Sequence, residues 1–189
     1  MTLIFSIQLF VSMTSVVEEH KKGTENAYRF ALITISTSRY QKYGSVSSPA
    51  DAEDFSGEKM IECVEKEGND VVGYSLVPDD MDLIQNAVKK YLDSADVIVT
   101  SGGTGLASSD VTIEALAPLF KKSLPGFGEL FRYKSIDQIG SAVILTRAAA
   151  GILEGTVIFC LPGSPKAVEL AMDEIILPEA GHIMRHLPD

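Results

Sequence analysis

The sequence lacks tryptophan and is poor in basic residues, cysteine and histidine. Its 16 lysines and arginines are outnumbered by 26 aspartates and glutamates, which gives a formal net charge of −10 at pH 7. Nucleic-acid binding depends on clustered lysine and arginine at phosphates, so this balance argues against a nucleic-acid partner. An anionic small ligand remains compatible with such a chain, provided that backbone N–H groups, a helix N-terminus or a metal ion meet its charge.

The two cysteines are too few to form a disulfide framework. Cys63 falls in a helical pattern and Cys160 in an apolar strand, so we expect two buried, reduced thiols of a cytoplasmic protein. The three histidines, His20, His182 and His186, have no metal-ligand partners at suitable spacing and are expected at the surface. No Ser/His/Asp or Cys/His set for covalent catalysis is evident.

No apolar run is long enough to span a bilayer, so we expect no membrane association. The N-terminal run "MTLIFSIQLFVSM" also lacks the positive region and cleavage site of a secretory signal. We interpret residues 1–12 either as an upstream translation start or as an extension that contacts other subunits. The sequence predicts a mobile N-terminal extension over residues 1–28 and a single domain over residues 29–189.

Strands and helices alternate along the chain from Arg29 onward. Apolar runs predict strands over 29–36, 70–78 and 95–100, and apolar residues at helical spacing predict helices over 55–67 and 79–94. This order predicts an α/β fold, a three-layer doubly wound and mostly parallel sheet with helices on both faces.

The second half of the chain departs from this alternation. A helix is predicted over 111–122, a turn and a short helix over 124–140, and a closing amphipathic helix over 166–177. Between the last two, residues 149–161 contain two apolar runs separated by a Glu-Gly pair, which is a hairpin signal. We therefore expect a short antiparallel hairpin at one edge of the sheet.

Three glycines, Gly102, Gly103 and Gly105, follow the third predicted strand and precede a helix. Ligands of open α/β sheets bind at this position, and glycine lets the backbone approach an anion closely. The stretch lacks the lysine of a P-loop, and Ser108 stands where a dinucleotide fingerprint requires glycine. It predicts an anion-binding loop; the alternative is a tight turn that binds nothing.

Carboxylates lie directly beside this loop in the sequence. Asp110 either caps the following helix or holds Mg²⁺ between itself and a ligand phosphate, because a carboxylate and a phosphate repel each other without a cation. Asp79 follows the second predicted strand, where its side chain can face the same crevice as Asp110. Asp80 and Asp82 are expected to cap the next helix or to lie in its first turn, where the helix dipole favours acidic side chains.

A second loop repeats the arrangement of the first. Pro162, Gly163, Ser164 and Pro165 follow an apolar strand and precede a helix, and they combine a glycine backbone with a serine hydroxyl. Two such loops at one edge of a sheet predict a ligand with two anionic parts.

Together these stretches make the chain resemble the MoaB/Mog family of molybdenum-cofactor biosynthesis proteins, and the MoaB branch most of all. The resemblance covers residues 29–180 and depends on the order of seven motifs: "LITIS", "DFSG", "VPD", "TSGGTGLASSDVTIEAL", "PGFGELFR", "LTRAAAG" and "LPGSPKA". The chain departs from the family in having Thr37 after Ser36, where relatives often have an acid. It also has Ser108 and Ser109 where relatives often have basic residues.

The resemblance implies a molybdopterin adenylyltransferase, which uses Mg²⁺ and converts ATP and molybdopterin into adenylylated molybdopterin and pyrophosphate. It implies that Asp79 and Asp110 are the catalytic residues, with Asp110 as a Mg²⁺ ligand. The substrate-binding residues it implies are Ser36, Thr100, Ser101, Gly102, Gly103, Thr104, Gly105, Pro162, Gly163, Ser164 and Pro165. It further implies a homo-oligomer, a trimer or a hexamer, that works with other proteins of the pathway.

Two other interpretations are open. The chain can be a molybdopterin-binding carrier or assembly subunit without catalysis, or a related enzyme domain such as a competence-damage type nucleotide hydrolase or the similar domain of the metal-inserting protein. The retention of both Asp79 and Asp110 favours catalysis over carriage. The lack of additional domains argues against the related enzymes.

Overall fold

The computed structural model describes residues 27–187 of the chain. The predicted extension over residues 1–28 therefore lies outside the described residues, except for its last two. Within residues 27–187, no helix is long and apolar enough to cross a membrane.

One mixed sheet organises the described part of the chain. Its six strands are β1 (Arg29–Ile35), β2 (Asp70–Val77), β3 (Val97–Ser101), β4 (Lys122–Ser123), β5 (Ala149–Leu153) and β6 (Thr156–Leu161). They lie in the order β2-β1-β3-β6-β5-β4, in which the first four strands are parallel and the last two pairings are antiparallel. The predicted parallel sheet with an antiparallel edge is confirmed.

The strands of the parallel core are buried on both faces. Every residue of β3 and β6 is buried, as is nearly all of β1. Phe30 and Leu32 of β1 contribute to one apolar cluster, whereas Ala31 and Ile33 contribute to the other. Continuous apolar runs form such strands because helices cover both faces of a parallel sheet.

Helices pack on both faces and complete three layers. They are α1 (Thr37–Tyr43), α2 (Phe55–Lys66), α3 (Met81–Lys89), α4 (Thr112–Leu116), α5 (Pro125–Ile139), α6 (Pro165–Ala171) and α7 (Leu177–Arg185). Met60 of α2, Phe131 of α5 and Val168 of α6 pack on one face of the sheet. Ile84 of α3 and Leu116 of α4 pack on the other.

The closing helix is longer than the sequence predicts. The expected boundary at residue 177 precedes Pro178, which has no N–H and is disfavoured inside a helix. A π-helical segment, Met172–Ile176, joins α6 to α7 and carries the helical path past the proline to Arg185. Pro178 lies in the first turn of α7, directly after this segment, where a proline is tolerated.

Two further helix predictions are wrong. The helix expected over 111–122 is only α4 and a 3₁₀ turn (Ala117–Leu119), since Pro118 interrupts it. The short helix expected over 124–140 is instead α5, with 15 residues. Its glycines reduce helix propensity, but Gly128 is placed against the chain before β5, where an added Cβ would lie 2.6 Å from the carbonyl oxygen of Ala148.

The predicted hairpin joins β5 to β6. Glu154 and Gly155 form its turn with φ values of 51° and 83°. Positive φ at both central residues is the conformation that matches the twist of a two-residue hairpin. The expectation of an antiparallel edge is confirmed.

The two cysteines are buried and free, as expected. Burial raises the pKa of Cys63 and of Cys160 to about 12 in each case.

Because the thiolate is the reactive form, we expect both cysteines to react with a disulfide reagent at mildly alkaline pH at least about a hundredfold more slowly than in the denatured chain. Timed labelling with and without denaturant checks this; fast labelling of the native protein would contradict it.

Candidate functional site

The carboxyl ends of the four parallel strands meet at one edge of the sheet, where ligands of such folds bind. Main-chain hydrogen bonds hold neighbouring strand ends together beyond the strands themselves. The N–H of Ser36 donates to the carbonyl of Val77 at 2.9 Å, and the N–H of Gly102 donates to the carbonyl of Leu161 at 3.0 Å. The turns after β1, β2, β3 and β6 therefore lie next to one another.

The first glycine loop, Gly102–Gly105, needs glycine for its backbone. Gly102 has a φ of 108° and Gly103 a φ of 61°. A Cβ added to Gly102 would lie 2.1 Å from the carbonyl oxygen of Ile35. Thr112, the first residue of α4, holds the loop: its Oγ1 donates to the carbonyl of Gly102 at 2.8 Å, and its N–H donates to that of Gly103 at 2.9 Å.

Asp79 lies against this loop. Its Oδ2 accepts hydrogen bonds from the N–H of Thr37 at 3.0 Å and from Thr37 Oγ1 at 2.7 Å. Its Oδ1 would be only 2.6 Å from a Cβ placed on Gly103. The carboxylate is thus tied to the start of α1 through one oxygen and faces the glycine loop with the other.

Asp110 lies at the other end of the loop. Its Oδ2 accepts from the N–H of Ala107 at 3.0 Å and would be 2.7 Å from a Cβ on Gly105. The residue that precedes α4 is Val111, and that helix has no side-chain cap. The helix-capping interpretation of Asp110 is therefore wrong, whereas Asp80 does cap α3, accepting from the N–H of Leu83 at 2.9 Å.

The second loop, Pro162–Pro165, contacts the first. A Cβ on Gly163 would lie 3.2 Å from the Cα of Gly102. Ser56 Oγ donates to the carbonyl of Gly163 at 2.7 Å, and Ser164 Oγ accepts from the N–H of Ala167 at 3.2 Å and so caps α6. Both predicted loops and both predicted aspartates meet at one edge.

The other predicted residues surround this meeting point. Ser36 is half-buried and caps α1, accepting from the N–H of Arg39 at 3.4 Å. Ser101 is buried, with its Oγ 3.5 Å from the carbonyl oxygen of Pro162. Thr100 and Thr104 are also buried, and the hydroxyl of Thr100 donates to the carbonyl of Phe159 at 3.3 Å within the sheet.

Two cavities flank the second loop. The α1 cavity, of about 490 Å³, is lined by residues that include Ser36, Arg39, Lys42, Asp54, Ser101 and Gly163. The α5 cavity, of about 710 Å³, is lined by residues that include Phe131, Thr146, Pro162, Ser164 and Lys166. The second loop therefore separates two spaces, each of which has both cationic and acidic side chains in its wall.

Most of the chain matches a known protein family. Residues 31–182 match the family described as "probable molybdopterin binding domain", and this span contains both glycine loops, Asp79 and Asp110. The chain belongs to this molybdopterin-binding family.

Individual relatives agree with the family assignment. Molybdenum cofactor biosynthesis protein B of Bacillus subtilis is 41% identical over 174 residues, which are 90% of this chain and 96% of that protein. Molybdopterin adenylyltransferase of Pyrococcus furiosus is 43% identical over 175 residues, 90% of this chain and 97% of that protein. The crystal structure of tungsten cofactor synthesizing protein MoaB from Pyrococcus furiosus has a TM-score of 0.77 at 40% identity and covers 88% of this chain and 100% of its own. The expected resemblance is confirmed.

Asp54 lies beside the candidate site and was not predicted from the sequence. It is buried in the wall of the α1 cavity, where its Oδ2 accepts from Thr34 Oγ1 at 2.5 Å and from the Tyr74 hydroxyl at 2.8 Å. Burial raises the pKa of Tyr74 well above its usual value, which keeps the phenol protonated as a donor. Arg39 Nε lies 3.9 Å from Asp54 Oδ1. The motif "DFSG" was the only signal in the sequence, and nothing in it distinguishes this aspartate from a helix cap.

Arg147 is a second missed residue of this molybdopterin-binding domain. It precedes β5, and one guanidinium nitrogen donates to the carbonyl of Gly105 at 3.0 Å. Another pairs with Glu114 of α4. Arg147 thereby joins the end of the glycine loop to the helix that follows it.

The Asp54 hydrogen bonds predict a large loss of stability on truncation. Asp54→Ala leaves the buried hydroxyls of Thr34 and Tyr74 without their acceptor, so we expect the free energy of unfolding to fall by about 3 kcal/mol. Urea denaturation measures this change. Asp51→Ala is the control, since Asp51 is exposed and its replacement should shift the free energy by about 0.5 kcal/mol or less. Equal effects of the two substitutions would contradict the role given to Asp54.

Proposed function

We propose that the protein transfers the adenylyl group of ATP to molybdopterin and releases pyrophosphate. The observation that carries the proposal is the contact between two glycine loops, flanked by Asp79 and Asp110, at the carboxyl edge of the sheet. Backbone N–H groups of such loops bind phosphate without lysine, which suits a chain of formal net charge −10. The name of the Pyrococcus furiosus relative, molybdopterin adenylyltransferase, supports the same reaction.

The chemistry needs alignment more than a reactive side chain. A terminal phosphate oxygen of molybdopterin attacks the α-phosphorus of ATP, a new P–O–P linkage forms, and the bond to the pyrophosphate oxygen breaks. Both partners already carry the reacting phosphates, so the protein contributes by holding them in line and by stabilising the charge that develops. This accounts for a site without a serine or cysteine nucleophile.

The two loops then have separate roles. In this proposal the loop Gly102–Gly105 and the hydroxyls of Ser36 and Ser101 bind the nucleotide phosphates. The loop Pro162–Pro165 binds the pterin and its phosphate next to the α5 cavity. The contact of Gly163 with Gly102 supports this division, since it would bring the two phosphates together.

The carboxylates of this site fit Mg²⁺ only if phosphates of the substrate supply the remaining ligands. Among the residues that the structure describes, no group of three or more acidic, histidine or cysteine side chains could hold a metal ion. Mg²⁺ commonly binds through one or two carboxylates together with substrate phosphates. We propose Asp110 as its ligand, with Asp79 at the opposite end of the loop; when bound, the ion neutralises phosphate charge.

A second function, binding of molybdopterin without catalysis, is favoured by one local feature. Ser108 and Ser109 are exposed beside the glycine loop, at positions that offer no cation to a phosphate. The name of the Bacillus subtilis relative, molybdenum cofactor biosynthesis protein B, states a pathway but no reaction. A carrier would keep the loops as a binding surface.

Incubation with molybdopterin, ATP and Mg²⁺ separates the two functions. Adenylyl transfer predicts a product whose mass equals that of molybdopterin plus AMP less water, together with one pyrophosphate for each product molecule. A parallel reaction with excess chelator should give no product. If molybdopterin binds but no adenylylated product forms, the protein is a carrier.

We further propose a cytoplasmic homo-oligomer, a trimer or a hexamer, that acts with other proteins of the pathway. Apolar side chains on α5 and in the 3₁₀ segment after it support self-association: Tyr133, Ile136, Ile139, Ile144 and Leu145 are exposed, Ile144 to 83%. Light scattering of the purified protein should give three or six times the mass of the chain. A monomer at all concentrations would contradict this part of the proposal.

A further inference from the structure

We infer that Thr37 is a positioning residue that fixes the orientation of Asp79 in the reaction. This inference rests on the proposed function. Thr37 is the first residue of α1, directly after the turn that leaves β1, and Asp79 follows β2, the neighbouring strand. The two residues are 42 positions apart in the sequence.

Three hydrogen bonds join this pair. The N–H and the hydroxyl of Thr37 both donate to Asp79 Oδ2, at 3.0 Å and 2.7 Å. In return, the N–H of Asp79 donates to Thr37 Oγ1 at 3.0 Å. Hydrogen bonds to a carboxylate are among the stronger ones in proteins. These bonds therefore restrict the rotation of the Asp79 carboxylate.

The consequence is an asymmetric carboxylate. Thr37 occupies Oδ2 with two donors, and Oδ1 is the oxygen that faces Gly103 and the glycine loop. A carboxylate that must act on bound phosphate, directly or through a cation, gains from such fixed placement, because displacement of about 1 Å costs roughly a hundredfold in rate. The N–H and the hydroxyl of Thr37 provide that placement together.

The turn itself does not require the hydroxyl. Ser36 already anchors it to β2, since its N–H donates to the carbonyl of Val77 at 2.9 Å. Ser36 Oγ also caps α1 by accepting from the N–H of Arg39. Removal of the Thr37 hydroxyl should therefore leave the turn in place while Asp79 loses two of its three bonds to Thr37. The bond that remains, from the N–H of residue 37 to Asp79 Oδ2, is a single contact about which the carboxylate can rotate.

Thr37→Val and Thr37→Ser test the inference through turnover. Valine keeps the volume and removes the hydroxyl, so we expect kcat to fall by about tenfold or more while KM for molybdopterin stays within about twofold. Serine restores the hydroxyl and should bring kcat back to within about threefold of the original chain. Thr156→Val is the matched control, because the Thr156 hydroxyl donates to the carbonyls of Leu92 and Ala95, outside the site; its kcat should not change.

Crystal structures of the same two variants test the inference without turnover. In Thr37→Val the Asp79 carboxylate should rotate so that Oδ1 leaves Gly103, and in Thr37→Ser it should not. An unchanged Asp79 in Thr37→Val overturns the inference, as does equal loss of kcat in the valine and serine variants. If the original chain forms no adenylylated product, the proposed function fails, and the two crystal structures still decide whether Thr37 positions Asp79.

Discussion

Asp110→Asn is expected to fold normally and to lose at least about a hundredfold in adenylyl-transfer turnover, as removal of one electrostatic group from an active site commonly does. Asparagine has nearly the same shape, and its side-chain oxygen can still accept from the N–H of Ala107, the bond that Asp110 Oδ2 makes at 3.0 Å. What the variant loses is the negative charge beside Gly105. Turnover at saturating ATP and molybdopterin, with urea denaturation of the same sample, measures both effects.

Asp82→Asn is the matched control for this experiment. Asp82 is exposed in the first turn of α3 and lies outside the proposed site, so its replacement should leave turnover unchanged. A folded Asp110→Asn with full turnover would show that the carboxylate only closes the loop between Ala107 and Asp110. A variant that unfolds while its folded fraction stays active would lead to the same conclusion.

Gly102→Ala is expected to lower the free energy of unfolding by about 3 kcal/mol or more and to abolish turnover. The φ of Gly102 is 108°, which a residue with a side chain rarely adopts. The added Cβ would also lie 2.1 Å from the carbonyl oxygen of Ile35, and this atom belongs to the main chain at the end of β1. Relief of the clash must therefore move the strand end or the loop.

Gly126→Ala serves as the control for the glycine prediction. Gly126 lies in the first turn of α5, and an added Cβ there would have no atom within 4 Å. Alanine in a helix is favoured over glycine, so this variant should be unchanged or more stable by up to about 1 kcal/mol. Urea midpoints of both variants give the comparison. Equal midpoints would show that the loop adapts to a side chain and that its backbone is not fixed as described.

The parallel core could be predicted from the sequence because its signals are local. The apolar runs that form β1, β3 and β6 are continuous, and the Glu154-Gly155 pair marks a hairpin turn. The length of α5 could not be predicted, since its glycines oppose a helix and only the close approach of Gly128 to Ala148 explains one of them. Likewise, Pro178 marks a helix end in the sequence, and the π turn before it appears only in the structure.

The part of the candidate site that could be predicted from the sequence consists of residues that follow the ends of strands. The two loops, Asp79 and Asp110 all follow β-strands or the loops after them, and parallel strands bring such residues to one edge. The contacts of Asp54 and Arg147 could not be predicted, because they join residues 20 and 42 positions apart and depend on how the turns pack. The capping interpretation of Asp110 failed for a related reason: whether an aspartate before a helix caps it or folds back on its own loop depends on local backbone angles.

Transfer of label from ATP to molybdopterin is the decisive measurement of adenylyl transfer by this protein. With ATP labelled at the α-phosphorus, we expect the label to appear in molybdopterin, whereas label at the γ-phosphorus should appear only in pyrophosphate. Transfer should fall at least about a hundredfold in Asp110→Asn. If equilibrium binding shows that molybdopterin is bound but it acquires no α-label, the protein does not catalyse adenylyl transfer. Undiminished transfer by the Asp110→Asn variant would rule out the role proposed for Asp110.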